Sequence, residues 1–220
     1  MIDVNKEIDI FYKTPKGQAV ALALKELTYS LWGQSKENRV LVIGYADILA
    51  DVLPKTAVKY EIGALNLRNA QTALPFSDCS FDKVLILHAL EYIGDESSFM
   101  RELWRITEDG GEVLCIVPNR RGLWVIGEAT PFGKGRPYSI AQLSLLLTDN
   151  MFSPSHIERA LLLHPAIYGY YIAKRERKLA KILRVGAGAL AVEAKKTMYA
   201  VTPELTPSAL FKKKLQHPMS

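Results

Sequence analysis

Four places in this 220-residue chain combine residue types that can do chemistry. A turn, Gly44-Tyr45-Ala46-Asp47, follows the apolar run RVLVI at Arg39–Ile43, and glycine there lets backbone approach a ligand that a side chain would hold off. Glu61 closes a second apolar stretch, Ala57–Glu61. A carboxylate at a strand's end can accept both hydroxyl protons of a diol, and an ordinary surface acid explains it equally well. His88 opens His88-Ala89-Leu90-Glu91-Tyr92 directly after the run Lys83–Leu87. It either lines a cavity or is bonded to nearby backbone, because a lone imidazole has no fixed chemistry without partners. Last comes a cationic, aromatic, glycine-rich segment containing Asn119, Arg121 and Trp124 and then Lys134, Arg136 and Tyr138. Arginine grips phosphate or carboxylate through paired bonds and aromatic rings cover flat or apolar groups. The segment therefore reads as the mouth of a pocket for an acceptor with an anionic group, or as a loop anchored by salt bridges to nearby acids.

Other chemistries lack their residues. There is no Ser-His-Asp or Cys-His pairing, and Cys79 and Cys115 have no metal-ligand spacing, so no metal site is expected. Both cysteines read as reduced and structural.

The elements that must position these groups follow from hydrophobic period. Lys83–Leu87 and Glu112–Val117 are short, near-continuous apolar runs, as strands buried on both faces require. Between them Phe99, Leu103 and Ile106 recur at helical spacing, and Asp109-Gly110-Gly111 is expected to stop that helix. Strand, helix, strand makes a right-handed βαβ unit. A helix opens at Thr14-Pro15 and runs to about Trp32, with Val20, Leu24, Leu27 and Leu31 on one stripe. Ser139 caps another helix from Ile140 to about Asp149, and Ser155–Leu163 with Ala189–Ala200 read as a closing antiparallel pair.

LPF at Leu74–Phe76, SFDKV, HALEY, a helix ending RELWRI before Gly110-Gly111, and a strand ending Pro118-Asn119 occur in an order and spacing that resemble the second half of class I S-adenosylmethionine-dependent methyltransferases. More narrowly, NRRGLW and TPFGKGRPYS resemble a bacterial methyltransferase-like group over most of Phe11 to Val201. The resemblance implies an α/β fold of Rossmann-like type: a doubly wound, mostly parallel seven-stranded sheet with helices on both faces and an antiparallel edge strand. It implies S-adenosylmethionine as cofactor, with Gly44, Tyr45 and Ala46 as the cofactor loop and Glu61 on the ribose. Thr72 and Leu74 would then lie beside the adenine, with Asn69 an alternative to Thr72, and His88 would line the cavity. The family's glycine pattern is acidic-x-Gly-x-Gly-x-Gly, where this chain has Val42, Gly44, Ala46 and Ile48. Alanine adds a methyl where backbone packs against the methionine portion, and valine removes an acceptor for its amino group. Two functions follow: methyl transfer, which needs donor and acceptor held in line more than an acid or base, or a non-catalytic, methyltransferase-like interaction or regulatory protein. The acceptor, small molecule or macromolecule, is not named by any residue.

An apolar fraction of 49% and a charged fraction of 23% are those of a globular chain. One domain over residues 1–202 is expected, with a helical basic insertion near 165–186 and a loose basic tail at 203–220. Met1–Ile10 is acidic where a signal peptide would be basic, and no run reaches a membrane span, so the expectation is cytoplasmic. The net charge of +5 is concentrated after Lys174, which permits weak RNA contact or simply a solvated helix face. A protein partner is also compatible with the composition.

Overall fold

The computed structural model describes residues 4–33, 39–61, 73–126, 130–169 and 186–198. Four α-helices, α1 (Val4–Tyr12), α2 (Pro15–Trp32), α3 (Glu96–Ile106) and α4 (Ile140–Asp149), accompany six strands among these residues. The strands are β1 (Val40–Gly44), β2 (Val58–Tyr60), β3 (Phe81–Leu87), β4 (Thr107–Pro118), β5 (Phe152–Ala160) and β6 (Ala189–Lys196). They form one sheet in the order β2-β1-β3-β4-β6-β5. β1, β2, β3 and β4 pair parallel, and β6 runs antiparallel to both β4 and β5. The antiparallel strand is therefore next to the edge instead of outermost.

Both faces of the sheet are buried, which is why its strands read as apolar runs. Alternate residues divide cleanly: Val40, Val42, Leu85, Leu87, Leu114 and Ile116 join α1 and α2 on one face. Leu41, Ile43, Val84, Ile86, Val113 and Cys115 join α3 and α4 on the other. The helix starts are set by side chains that accept orphan amide protons. Thr14 accepts from the Gly17 amide with Pro15 in the first turn, Asp95 accepts from Ser98, and Ser139 forms a reciprocal capping box with Gln142.

Several expectations shift. Seven strands are expected and six are described; the stretch from Asn69 to Leu74, expected to hold a short third strand and the loop after it, lies outside the described residues as far as 72, and Ala73 and Leu74 are not in a strand. The helix stop is earlier than Asp109. Thr107 already pairs with Phe81, and the register then jumps so that Glu112 meets Lys83. Gly110, at φ +73°, therefore turns an exposed bulge inside β4 and does not end α3. The closing pair begins three residues sooner than expected, at Phe152. Of the basic insertion expected near 165–186, residues 170–185 lie outside the described residues, as does the tail.

Candidate active site

The parallel strands deliver their chain ends to one edge of the sheet. Gly44 pairs with Leu87, and the Tyr45 amide donates to the Leu87 carbonyl at 2.9 Å. Gly44 has φ +99°, and a Cβ on it would lie 2.0 Å from the Leu87 oxygen. The glycine is thus required by strand approach itself, not only by a ligand. On the other side Tyr60 pairs with Ile43, so Glu61 stands across from Gly44 on the neighbouring strand, exposed. Gly44, Glu61 and His88 share the carboxyl edge, as their chain order demands.

α1 reaches over this edge. The Tyr12 ring stacks on Tyr45 with centroids 5.3 Å apart and planes 9° from parallel. Its hydroxyl lies 2.7 Å from His88 Nε2, and His88 Nδ1 lies 3.3 Å from Glu91 Oε1. With Nδ1–H donating to the carboxylate, Nε2 is the acceptor for the Tyr12 proton. His88 and Glu91 are 4% and 3% exposed. His88 adopts φ +54°, and the edge of its ring contact is Phe132 at 4.8 Å. Burial first, then the Glu91 charge, pushes the Tyr12 phenol well above its usual range. Burying a carboxylate is costly unless it is paired and bonded, yet Glu91 Oε2 has no partner. α1 is tied down again by Asp9, which accepts from Tyr45 at 3.0 Å, and by an ion pair from Glu7 to Lys134.

The remaining predicted residues separate. Ala46 is buried beside Ile48 and Val42 in the core under α2, so the residues that replace the family's glycines and acid serve packing. Leu74 is buried, its amide donating to Glu102. Thr72 and Asn69 lie outside the described residues. The 119–138 segment does not gather its side chains at a mouth. Asn119 donates from Nδ2 to Ala187 O at 2.7 Å, and its Oδ1 accepts from the Arg121 amide. Trp124, 1% exposed, donates to Leu163 O at 2.7 Å, and its ring meets Phe132 and Tyr168 edge-on. The Tyr138 hydroxyl, also buried, donates to Glu96 at 2.5 Å, and Arg136 pairs with the same carboxylate at 3.0 Å. Arg121, like Arg120 beside it, is exposed and its guanidinium has no hydrogen-bond or ion-pair partner among the described residues. Aromatic and cationic residues in one loop were a true signal of engagement, but it is largely engagement with the domain.

Sequence reasoning missed α1 as a wall of the site. Its signal was Val4, Ile8 and Tyr12 at i, i+4 and i+8, a stripe that buries Ile8 and Tyr12. Between α1 and the turn at Pro131–Gly133 lies a small cleft of about 50 Å³, lined by Glu7, Ile8, Phe11, Tyr92, Thr130 and Lys134. Two of these residues carry buried polar atoms without partners, the Tyr92 hydroxyl and Thr130 Oγ1. Among the described residues no His, Cys, Asp and Glu cluster could hold a metal ion, and no helix is long and apolar enough to cross a membrane.

Residues 34–115 match a family model described as a methyltransferase domain. No curated protein sequence matches the chain. The fold is shared with an S-adenosylmethionine-dependent methyltransferase from Thermotoga maritima, 18% identical, at TM-score 0.63 over 87% of this chain and 96% of that one. A second such enzyme, from Aquifex aeolicus, gives TM-score 0.57 at 15% identity over 90% and 100% of the two chains. A Haloferax volcanii methyltransferase solved in complex with its activator gives 0.60 at 16% identity over 89% and 98%. Part of the chain, residues 34–115, thus matches a methyltransferase domain, and the fold is the one that these S-adenosylmethionine-dependent methyltransferases share. S-adenosylmethionine is the cofactor of the Thermotoga and Aquifex enzymes.

Of the residues expected at the nucleoside half of such a cofactor, Glu61 is described, whereas Asn69 and Thr72 lie outside the described residues. The Glu61 carboxylate is exposed at the strand end across from the Gly44 turn, the right chemistry for a ribose diol. At the amino-acid half the fit is poorer, because Val42 is fully buried and the Tyr12 ring covers Tyr45.

Proposed function

We propose that the protein transfers a methyl group from S-adenosylmethionine to an acceptor held at the carboxyl edge of the sheet. The observation that carries this reading is the exposed Glu61 carboxylate standing across the β1 and β2 pair from the Gly44 turn. When bound, the cofactor supplies an electrophilic methyl group on a sulfonium, so the protein's task is mainly to hold two reactants in line. Glu61 accepts the ribose hydroxyls, the backbone of Gly44, Tyr45 and Ala46 approaches the ligand closely, and Thr72 and Leu74 flank the adenine. His88, fixed between Tyr12 and Glu91, forms an ordered polar floor next to the site. Arg120 and Arg121 are exposed members of the cationic segment and are free to meet an acceptor or a macromolecular partner; the Haloferax methyltransferase was solved with a protein activator. Two unpaired cysteines fit a reducing, cytoplasmic setting.

A second reading, a non-catalytic methyltransferase-like module, is favoured by one observation: Val42 and Ala46 are packed into the core instead of facing a ligand. Calorimetric titration with S-adenosylmethionine and S-adenosylhomocysteine separates the two. Binding is expected, and Glu61→Ala should weaken it by roughly 1.5–3 kcal/mol, the scale of a hydrogen bond to a charged group. No heat and no protection from unfolding at millimolar ligand would establish the non-catalytic reading.

A further inference from the structure

We infer that the loop cluster beyond β4, β5 and β6 is a docking face for an anionic lipid surface, an inference that does not depend on the methyl-transfer reading. Ala160 of β5 pairs with Ala189 of β6, which pairs in turn with Pro118 of β4. All three strands therefore meet their loops at one edge, and it is the edge that carries Gly44 and His88. Residues 119–126, 161–169 and 186–188 come together there. The Leu123 amide donates to the Gly186 carbonyl at 3.1 Å and the Asn119 amide to that of Gly188 at 2.9 Å. Trp124 ties the remaining stretch in, through its bond to the Leu163 carbonyl and its ring contact with Tyr168.

This cluster turns its aromatic rings inward and its aliphatic side chains outward. Trp124 and Tyr168 are buried, whereas Leu123, Ile126 and Ile167 are 38%, 73% and 62% exposed. Leu123 opens a single tight helical turn and Ile126 follows it three residues on, a spacing that puts both on one side with buried Trp124 between them. Ile167 adjoins Tyr168, whose ring packs on Trp124. Aliphatic side chains exposed together mark a surface that meets a protein or a membrane.

Charge decides between these partners. Arg120 and Arg121 stand exposed beside Leu123, and their guanidinium groups have no partner among the described residues. The three stretches contain no Asp or Glu. Residues 170–185, which join the second stretch to the third, hold Lys174, Arg175, Arg177, Lys178, Lys181 and Arg184 against the single acid Glu176. Unpaired cations next to exposed aliphatic groups match a layer of anionic headgroups above hydrocarbon. The aliphatic tips enter the acyl boundary while the guanidinium groups stay with the phosphates. RNA is a worse match, because the rings that would stack on bases are buried.

The full chain is sedimented with vesicles of phosphatidylcholine and with vesicles in which about a third of the lipid is phosphatidylglycerol. It should partition to the anionic vesicles at least about tenfold more strongly, and added salt should narrow the difference. Leu123→Ser combined with Ile126→Ser should weaken anionic partition about tenfold, the scale of withdrawing one aliphatic side chain from an apolar phase. Arg120→Gln combined with Arg121→Gln should weaken it by about tenfold or more, the scale of two cations near such a surface. All four positions are exposed, so both double variants should keep their melting temperature. Ile167→Ser, on a different stretch, repeats the apolar test should either double variant melt early. Equal partition to the two vesicle types, or none to either, would overturn the proposal. Undiminished partition of the serine variants would overturn it too, by moving the binding to the basic stretches outside the cluster. So would tighter binding to single-stranded RNA than to vesicles, or a dimer in sedimentation velocity that the serine variants abolish, which would put a second copy of the chain on this face.

Discussion

Replacing Gly44 by alanine tests the construction of the carboxyl edge directly. The position has φ +99°, where an L-residue is strained by about 1–3 kcal/mol. The added Cβ would lie 2.0 Å from the Leu87 carbonyl oxygen and 3.1 Å from the Ala89 methyl. The first of these is backbone, so relief requires β1 and β3 to part, at about 1–3 kcal/mol for forced overpacking. Separation also weakens the Tyr45 amide bond to Leu87, a further loss of about 1 kcal/mol. About 3–7 kcal/mol is therefore at stake, against a total of roughly 5–15 for a native domain. Gly110→Ala is the internal control, because it has φ +73° with nothing within 4 Å of its added Cβ. It should cost only the backbone strain. Urea unfolding gives both values, and thermal melting should show Gly44→Ala lower by roughly 6–28 °C at about 2–4 °C per kcal/mol. Equal destabilisation of the two variants would refute the close strand approach and with it the geometry assigned to the edge.

Tyr12→Phe leaves His88 Nε2 without its buried partner and should cost about 1–3 kcal/mol in urea unfolding; a neutral effect would mean that α1 does not close over His88. Trp124→Ala should lose about 3–5 kcal/mol as a buried side chain, whereas Arg121→Met should stay within about 0.5 kcal/mol, which thermal melts of both variants check. Glu102 is held below its usual 4.5 chiefly by its bond from Arg105, and Asp82 below 3.8 by Arg39. Folded values below the unfolded ones give stability that is complete above the unfolded range and is lost as pH falls through the folded range. Melting temperature should therefore start to fall below about pH 4.5, and Arg105→Met should flatten that acid slope; an unchanged slope would show that the pair contributes nothing.

Strand identity was legible because burial on both faces leaves a continuous apolar run, as in Val84–Leu87 and Val113–Val117. Placement of Gly44 beside His88 was legible for a different reason: parallel order alone puts both at the same edge. What sequence order cannot show is where a long side chain goes after it leaves the backbone. Trp124 and Tyr138 have the residue types of a binding mouth, but an indole N–H and a phenol O–H are satisfied as readily by Leu163 and Glu96 as by a ligand. The Gly110 bulge was misread because a helix stop and a strand bulge ask the same positive φ of the same residue. Tyr12, far from His88 in sequence, had no pairwise signal at all; its contact is a product of tertiary packing.

The strand order has a consequence for how the protein is made. β6 sits between β4 and β5, yet it is the last of the described strands to leave the ribosome. Until Ala189–Lys196 emerges, β4 presents an unpaired hydrogen-bonding edge through its most apolar residues, and β5 has no neighbour in the sheet. Such pairings across long stretches of chain form slowly and leave open edges exposed to other chains in the meantime. The nascent protein therefore spends the synthesis of everything after Pro118 with β1 to β4 able to assemble but one side of that sheet unprotected. Aggregation during expression should depend on this interval, so a chain truncated before Ala189 is expected to be insoluble even though it retains the whole of the Gly44, Glu61 and His88 edge.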